Sequence, residues 1–270
     1  MRKIIFIIII LLFAYPLFSK NIAVIPFQNI NSDKEKNWIG AGFSETLTTK
    51  LVKIKEINLL ERENLSKILE EIKFQYTDAV DEKTVVEKGK IYGVDVMVFG
   101  SYQVMGDTLR VNARFVDIKT RKIIDTAEVA GKVSDIFKLQ DEIAFNLIDS
   151  LKIVLNEKEK EDVTVNPTEN LTAYEWFSRG IEADNLALYD NSIEYYTKAI
   201  AIASEQEWLT IIKEKTPIQF IPLLIPESYY NRGIAYYYRN FKNESIKDLK
   251  NAADLGNEDE QVQSVSATPY

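Results

Sequence analysis

The 270 residues include no histidine and no cysteine. That removes thiolate nucleophiles, disulfides, Ser-His-Asp and Cys-His arrangements, and nearly every zinc site. Acid and base work would fall to carboxylates. The adjacent pairs Glu70-Glu71 and Asp141-Glu142 lie on helical patterns, where consecutive side chains diverge and cannot converge on one substrate. Glu61-Arg62-Glu63 falls at a strand-to-helix junction, where such a cluster reads as a capped helix end with solvated ion pairs. Gly40-Ala41-Gly42-Phe43-Ser44 opens a helix, and glycines there can admit an anion to the exposed amides. The third glycine of a dinucleotide fingerprint is missing, and about ten loop residues separate this stretch from the preceding strand, so a purely structural start is expected. A Ser-Lys or carboxylate mechanism stays formally open, but no residue points to one. The expectation is a protein that is not an enzyme and has no catalytic residues, metal site or cofactor.

The residues better suited to a task are aromatic and lie in the last hundred positions. Gly180, Ser192 and Ala199 are spaced by twelve and seven residues, and Gly233, Ser245 and Ala252 repeat that spacing. Each copy sets a glycine in one helical pattern and two small residues in the next, where two helices must approach closely. Stacked helical hairpins of this kind bind partners more often than they transform substrates. The copies read AYEWFSRGIEADNLALYDNSIEYYTKAI from Ala173 and ESYYNRGIAYYYRNFKNESIKDLKNAA from Glu227, and they resemble the tetratricopeptide (TPR) repeat. In that frame the matches are Trp176, Gly180, Tyr189, Tyr196 and Ala199, then Tyr229, Gly233, Tyr236, Leu249 and Ala252. The departures are Ser192 and Ser245 for a usual Ala, Arg179 and Arg232 for a usual Leu, a small Ala183, and Phe241 one place early.

The resemblance implies a concave face that receives Tyr174, Phe177, Ile181, Asp184 and Asn185 from copy one and Tyr230, Ile234, Tyr237 and Tyr238 from copy two. Tyrosine offers contact area at low entropy cost, which suits peptide recognition. The plainer reading is that Tyr236 to Tyr238 bury their helix against its neighbours, although one of three consecutive residues must then point outward. The glycines are 53 residues apart, against a family period of about 34, which leaves an insertion near 207–226. Part of it extends the second helix of copy one, and Pro217, Pro222 and Pro226 forbid a continuous helix through the rest. Residues 157–170 carry few apolar side chains and read as a linker, and 257–270 as a polar tail.

These repeats follow a segment of different character. Arg2 and Lys3 precede an apolar run from Ile4 to Leu17, and Ser19 offers a cleavage position, so residues 1–19 read as a secretory signal peptide. At ~1.5 Å per residue the run spans ~21 Å, short of the ~30 Å hydrocarbon core. Its removal takes the formal charge from −8 to −10, since it holds two basic residues and no acid. An exported chain this acidic repels nucleic acid and disfavours anionic lipid. With 46% hydrophobic and 27% charged residues, it has the composition of a globular protein of about two domains.

Between residues 20 and 156 the hydrophobic period alternates. Ile22 to Phe27, Ile57 to Leu60, Val94 to Ser101, Leu109 to Phe115 and Lys122 to Ala130 read as strands. Trp38 to Val52, a stripe from Leu65 to Ile72, Thr84 to Tyr92 and Ser134 to Leu155 read as helices. The expected fold class is α+β, a mixed-sheet α/β sandwich domain, followed over 171–256 by an all-α domain of TPR-like hairpins.

IAVIPFQN from Ile22, LLERENLSKILEE from Leu59 and VDVMVFGSYQVMGDTLRVNARFVDIKTRKI from Val94 resemble the domain shared by CsgG-type curli-secretion proteins, FlgO-like proteins and the amino-terminal domain of TolB-like proteins. Leu60-Glu61-Arg62 followed by Leu65 and Leu69, with Gly100-Ser101, carries most of the likeness. The resemblance implies an exported, non-enzymatic domain that assembles envelope machinery. Curli-secretion channels insert long hairpins that build a membrane barrel, whereas here only Met105 to Thr108 join Val104 to Leu109. A transmembrane strand needs ~9 to 11 residues, so a pore made by this chain is not expected. The combined expectation is a periplasmic scaffold or adaptor that holds a protein or peptide partner in the cell envelope. Its alternative is an accessory subunit of an outer-membrane secretion or motility assembly. Peripheral outer-membrane association and homo-oligomers are compatible with both.

Overall fold

Residues 20–24 form the first strand because Ile22 and Val24 face one side of a sheet and Ala23 and, just beyond, Ile25 the other, all of them buried. The computed structural model describes residues 19–31, 33–60, 64, 65, 67, 82–214 and 224–255. The expected signal segment, Glu61-Arg62-Glu63, Glu70-Glu71, the centre of the insertion and the polar tail lie outside the described residues.

The strands are β1 (Lys20–Val24), β2 (Gln28–Asn29), β3 (Ile57–Leu59), β4 (Val96–Met105), β5 (Thr108–Asp117) and β6 (Lys122–Lys132). They join in the order β3-β1-β4-β5-β6, with β2 added alongside β4. β1 is parallel to β3 and β4, whereas β4, β5 and β6 form an antiparallel meander. The turn between β4 and β5 is Gly106-Asp107, with Gly106 at φ 60°, so no hairpin long enough to cross a bilayer leaves the sheet there. β6 runs into a short 3-10 turn, Val133–Asp135, and then directly into a helix.

The helices are α1 (Trp38–Leu51), α2 (Glu82–Ile91), α3 (Ile136–Ser150), α4 (Glu157–Thr164), α5 (Leu171–Asn185), α6 (Tyr189–Glu214), α7 (Leu224–Tyr238) and α8 (Lys242–Asp254). One face of the sheet, with Val98, Tyr102, Val111 and Phe115, is covered by α1 and α3. The opposite face, with Met97 and Phe99, packs with Val86 of α2 in a smaller cluster. The larger core does not stop at α1: it continues through Tyr174, Phe177 and Ile181 of α5 to Tyr196 and Ala199 of α6. The α+β domain and the helical region therefore share one hydrophobic core.

Two expectations change. The helix placed over 134–155 ends at Ser150, and Lys152 adopts a φ of 58° before an extended stretch leads to α4. The stretch read as a linker, 157–170, contains α4, which opens on a capping box formed by Asn156 and Glu159. Val163 and Glu159 are buried against the domain, so this connection is packed rather than free. Its sequence hides this because a short helix held by two contact residues has no apolar stripe.

Candidate functional site

The two helix pairs, α5/α6 and α7/α8, are the same structural unit displaced by 53 residues. Ala187 and Asn240, equivalent positions, both turn at positive φ, 56° and 62°. The same hydrogen bonds close both turns: Leu188 N–H donates to Ala183 O and Phe241 N–H to Tyr236 O, each at 2.9 Å. Inside each pair the glycine meets the large residue of the second helix. A Cβ at Gly180 would overlap the Tyr196 ring, and one at Gly233 would lie 3.0 Å from Leu249 Cγ. Ser192, Ala199, Ser245 and Ala252 are all buried, as the small-residue spacing requires.

Equivalent arginines reach back from each pair to what precedes it. Arg232 donates to Thr197 of α6 at 2.9 Å and pairs with Asp248 at 2.6 Å. Arg179 donates to the Glu35 carbonyl at 3.1 Å, just ahead of α1, and pairs with Glu175 at 2.8 Å. α1 thus occupies on α5 the place that α6 occupies on α7. The first helix of the α+β domain closes the amino-terminal end of the helical array.

That seam is close and polar at its centre. A Cβ on Gly42 of α1 would overlap Ser178 Oγ and lie 2.7 Å from Ser178 Cβ and 2.9 Å from the Tyr174 hydroxyl. The Tyr174 hydroxyl accepts from Gln140 Nε2 of α3 at 2.6 Å and lies 2.9 Å from Thr46 Oγ1 of α1. Burial pushes its pKa up to about 12, so it remains a neutral phenol. Nearby, Lys50 is 2% exposed: its ammonium donates to the carbonyls of Val163 at 2.8 Å and Val165 at 3.0 Å and touches Asp141 Oδ1 at 2.6 Å. Those contacts tie α1, α3 and α4 together at Lys50. Burial raises the Asp141 carboxyl above its ordinary value, against the pull of Lys50. Burial likewise raises Glu182, which faces Asn37 and Arg179 at the other end of the seam.

The residues expected on a concave binding face divide accordingly. Tyr174, Phe177 and Ile181 are not available to a partner: they are 0%, 1% and 2% exposed in the shared core. Their aromatic and aliphatic spacing is that of a binding face and of a buried one alike, and the α+β domain takes it. Asp184 turns to Ser192 and Tyr196, the latter at 2.8 Å, and pins the pair α5/α6 internally; Asn185 beside it is half-buried. Tyr230 and Ile234 are half-buried, and Tyr237 and Tyr238 are 57% and 59% exposed. Tyr238 stacks on Tyr189 with ring centroids 4.9 Å apart, and Tyr237 meets Tyr238 edge-on at 5.8 Å. Sequence reasoning missed Phe241, 45% exposed, and Ile246, 44% exposed, which extend the same end of the array. A signal was available for Ile246, the copy-two counterpart of Ile193, which is half-buried.

Gly40, Ala41 and Gly42 are buried within α1 and serve its close packing, which leaves no anion cradle there. Glu142 lies beside Lys138 at 3.9 Å on the surface, diverging from Asp141 as its position predicts. Among the described residues no cluster of three or more His, Cys, Asp or Glu could hold a metal ion, and no helix is long and apolar enough to cross a membrane.

The described residues thus form an α+β domain whose first helix caps two repeated helix pairs. Residues 14–105 match the family described as "Curli production assembly/transport component CsgG", so the chain carries a CsgG-like α/β domain. A curated protein of Rhizobium meliloti (strain 1021), whose name calls it an adenylate cyclase, is 26% identical over 141 residues. That match takes in 52% of this chain but only 22% of the relative's length. Among solved structures, TolB from Acinetobacter baumannii is similar over 49% of this chain and 28% of its own, at 14% identity and a TM-score of 0.36. The LpoB C-terminal domain from Escherichia coli is similar over 42% of this chain and 83% of its own, at 14% identity and a TM-score of 0.36. Lipoprotein GNA1162 from Neisseria meningitidis is similar over 50% of this chain and 99% of its own, at 16% identity and a TM-score of 0.36.

Proposed function

We propose that this protein is an exported, non-catalytic adaptor of the cell envelope, in which the CsgG-like domain belongs to an envelope assembly and the TPR-like helix pairs hold a protein partner. The observation that carries the reading is the asymmetry of the two pairs. In copy one Phe177 and Ile181 are sealed, whereas in copy two the equivalent Tyr230 and Ile234 stay half-buried, and Tyr237 and Ile246 of the same pair are exposed. An aromatic and aliphatic end on a rigid array is a docking surface of the kind that protein interfaces use. The absence of His and Cys and the structural roles of Lys50, Asp141 and Asp184 support a non-catalytic protein. The short Gly106-Asp107 turn supports an accessory place in such an assembly rather than a pore of its own.

The test is crosslinking in intact cells from a photoreactive residue at Tyr237, compared with one at Val52, an exposed residue just past the end of α1. Specific adducts from position 237 alone are expected. Equal or absent adducts at both positions would count against a partner at this end, and recovery of the protein from the cytoplasm would remove the envelope role.

A further inference from the structure

Resting on the reading of this chain as exported, with residues 1–19 as its leader, we propose that folding itself controls removal of that leader. The Ser19–Lys20 bond can be cut only before β1 enters the sheet, and a chain that folds first keeps its leader. A leader is cut after a small residue, and the peptidase must hold the backbone around that bond as an extended strand, whose recognition rests on main-chain hydrogen bonds. No spacer separates this bond from the fold. The Lys20 N–H, part of the scissile peptide unit itself, donates to Glu56 O at 2.8 Å. The Ser19 hydroxyl donates to Lys55 O at 3.4 Å.

β1 is moreover an inner strand, with β3 on one side and β4 on the other. On the β3 side the Lys20 bond is followed by Leu60 N–H donating to Ile22 O at 2.9 Å. On the β4 side Asn21 N–H donates to the Asp95 carboxylate at 3.0 Å, and Asp95 N–H donates to Asn21 O at 2.8 Å. The Asn21 side-chain amide adds a bond to Gly93 O at 3.0 Å. Solvent reaches the side chains of Lys20 and Asn21, but the main chain just past the bond has no edge left for a peptidase. Ile22 and Val24 of the same strand lie in the larger core. Freeing the bond therefore means withdrawing an inner strand from that core, which is closer to global unfolding than to fraying of an end. Glu56 and Asp95 follow later in the chain, so the bond stays open until the segment through β4 has been exported and has folded.

The order of folding and cutting can be set in solution. The full chain, leader included, is unfolded in urea and diluted into detergent micelles, with a type I signal peptidase present from the start or added once the circular dichroism signal is complete. Cleavage between Ser19 and Lys20, read by mass, is expected in the first order. In the second it should be slower by at least about a hundredfold, because cutting of a folded chain follows the fraction that is open. A Gly-Ser spacer of about six residues inserted between Ser19 and Lys20 moves the bond clear of β1 and should remove the dependence on order. Equal rates for the unaltered chain in both orders overturn the proposal and leave the export reading standing, as does a spacer variant that resists once folded while it is cut during folding. No cleavage in either order, spacer variant included, overturns the proposal together with the leader on which the export reading rests.

Discussion

Substituting Gly42 by alanine interrogates the seam on which the whole arrangement depends. In an exposed helix interior this change stabilises by about 0.5–1 kcal/mol, because alanine loses less backbone entropy than glycine. Here the new methyl would overlap Ser178 Oγ and sit 2.7 Å from Ser178 Cβ and 2.9 Å from the Tyr174 hydroxyl. Rotating the serine hydroxyl away does not relieve the Cβ contact, so α1 and α5 must separate by about 1 Å to restore an ordinary carbon contact. That separation also stretches the 2.9 Å contact of Tyr174 with Thr46. Overpacking of a closed core costs about 1–3 kcal/mol, so after the helix-propensity gain a net loss of about 1–2 kcal/mol is expected. Ser178→Gly removes both offending atoms, and in a double-mutant cycle the two changes should couple favourably by about 1–3 kcal/mol. The assay is urea unfolding of the full chain, read by tryptophan fluorescence and circular dichroism, which should report one shared transition because the core is continuous. If Gly42→Ala stabilises the protein and shows no coupling to Ser178→Gly, α1 does not pack on α5 and the account of the capped array is wrong.

Other perturbations follow from the same junction. Lys50→Met strands Asp141 and two backbone carbonyls, and should lower unfolding free energy by about 3–5 kcal/mol, towards the lower end because Asp141 is 22% exposed and can be hydrated. Tyr174→Phe keeps the ring but removes the hydroxyl held by Gln140 and Thr46; a loss of about 1–3 kcal/mol in the same assay is expected, and a neutral effect would mean those partners re-pair locally. Burial raises the Glu182 carboxyl, so the folded state holds its proton to a higher pH than the unfolded chain does. Its contribution is therefore most favourable in acid and is lost as pH rises through the folded value. Unfolding measured against pH should show Glu182→Gln gaining on the wild type from acid to neutral, and a gap that shrinks with rising pH would contradict the burial.

Several elements could be read from the residues alone because local period and burial agree in them. β4 is apolar on both faces and becomes a central strand with neighbours on each side; β5 alternates Leu109, Val111 and Ala113 with Arg110, Asn112 and Arg114, and its polar side is the wetter one. The spacing of Gly180, Ser192 and Ala199 predicted a close helix pair, and the contact of Gly180 with Tyr196 is its physical content. α4 escaped notice because its helix is fixed by the Asn156–Glu159 capping box and by Lys50, a lysine whose burial no sequence pattern marks. Three of the nine residues expected on the binding face are buried for a related reason: Tyr174, Phe177 and Ile181 would look the same whether solvent, a partner or the α+β domain lay against them.

The sequence by itself determined most of the strands and helices, though not α4, together with the lack of histidine and thiol chemistry and the repeated pair with its small-residue contacts, since these depend on side-chain type at fixed spacing along one chain. Only the tertiary structure decided which copy of the repeat keeps an accessible face. An apolar stripe states that a helix will be covered, but not by what, and the covering helix α1 lies more than a hundred residues away in the chain. Its glycines allow it to sit directly on α5, as α6 sits on α7, and that packing buries Tyr174, Phe177 and Ile181 in a core shared with the α+β domain.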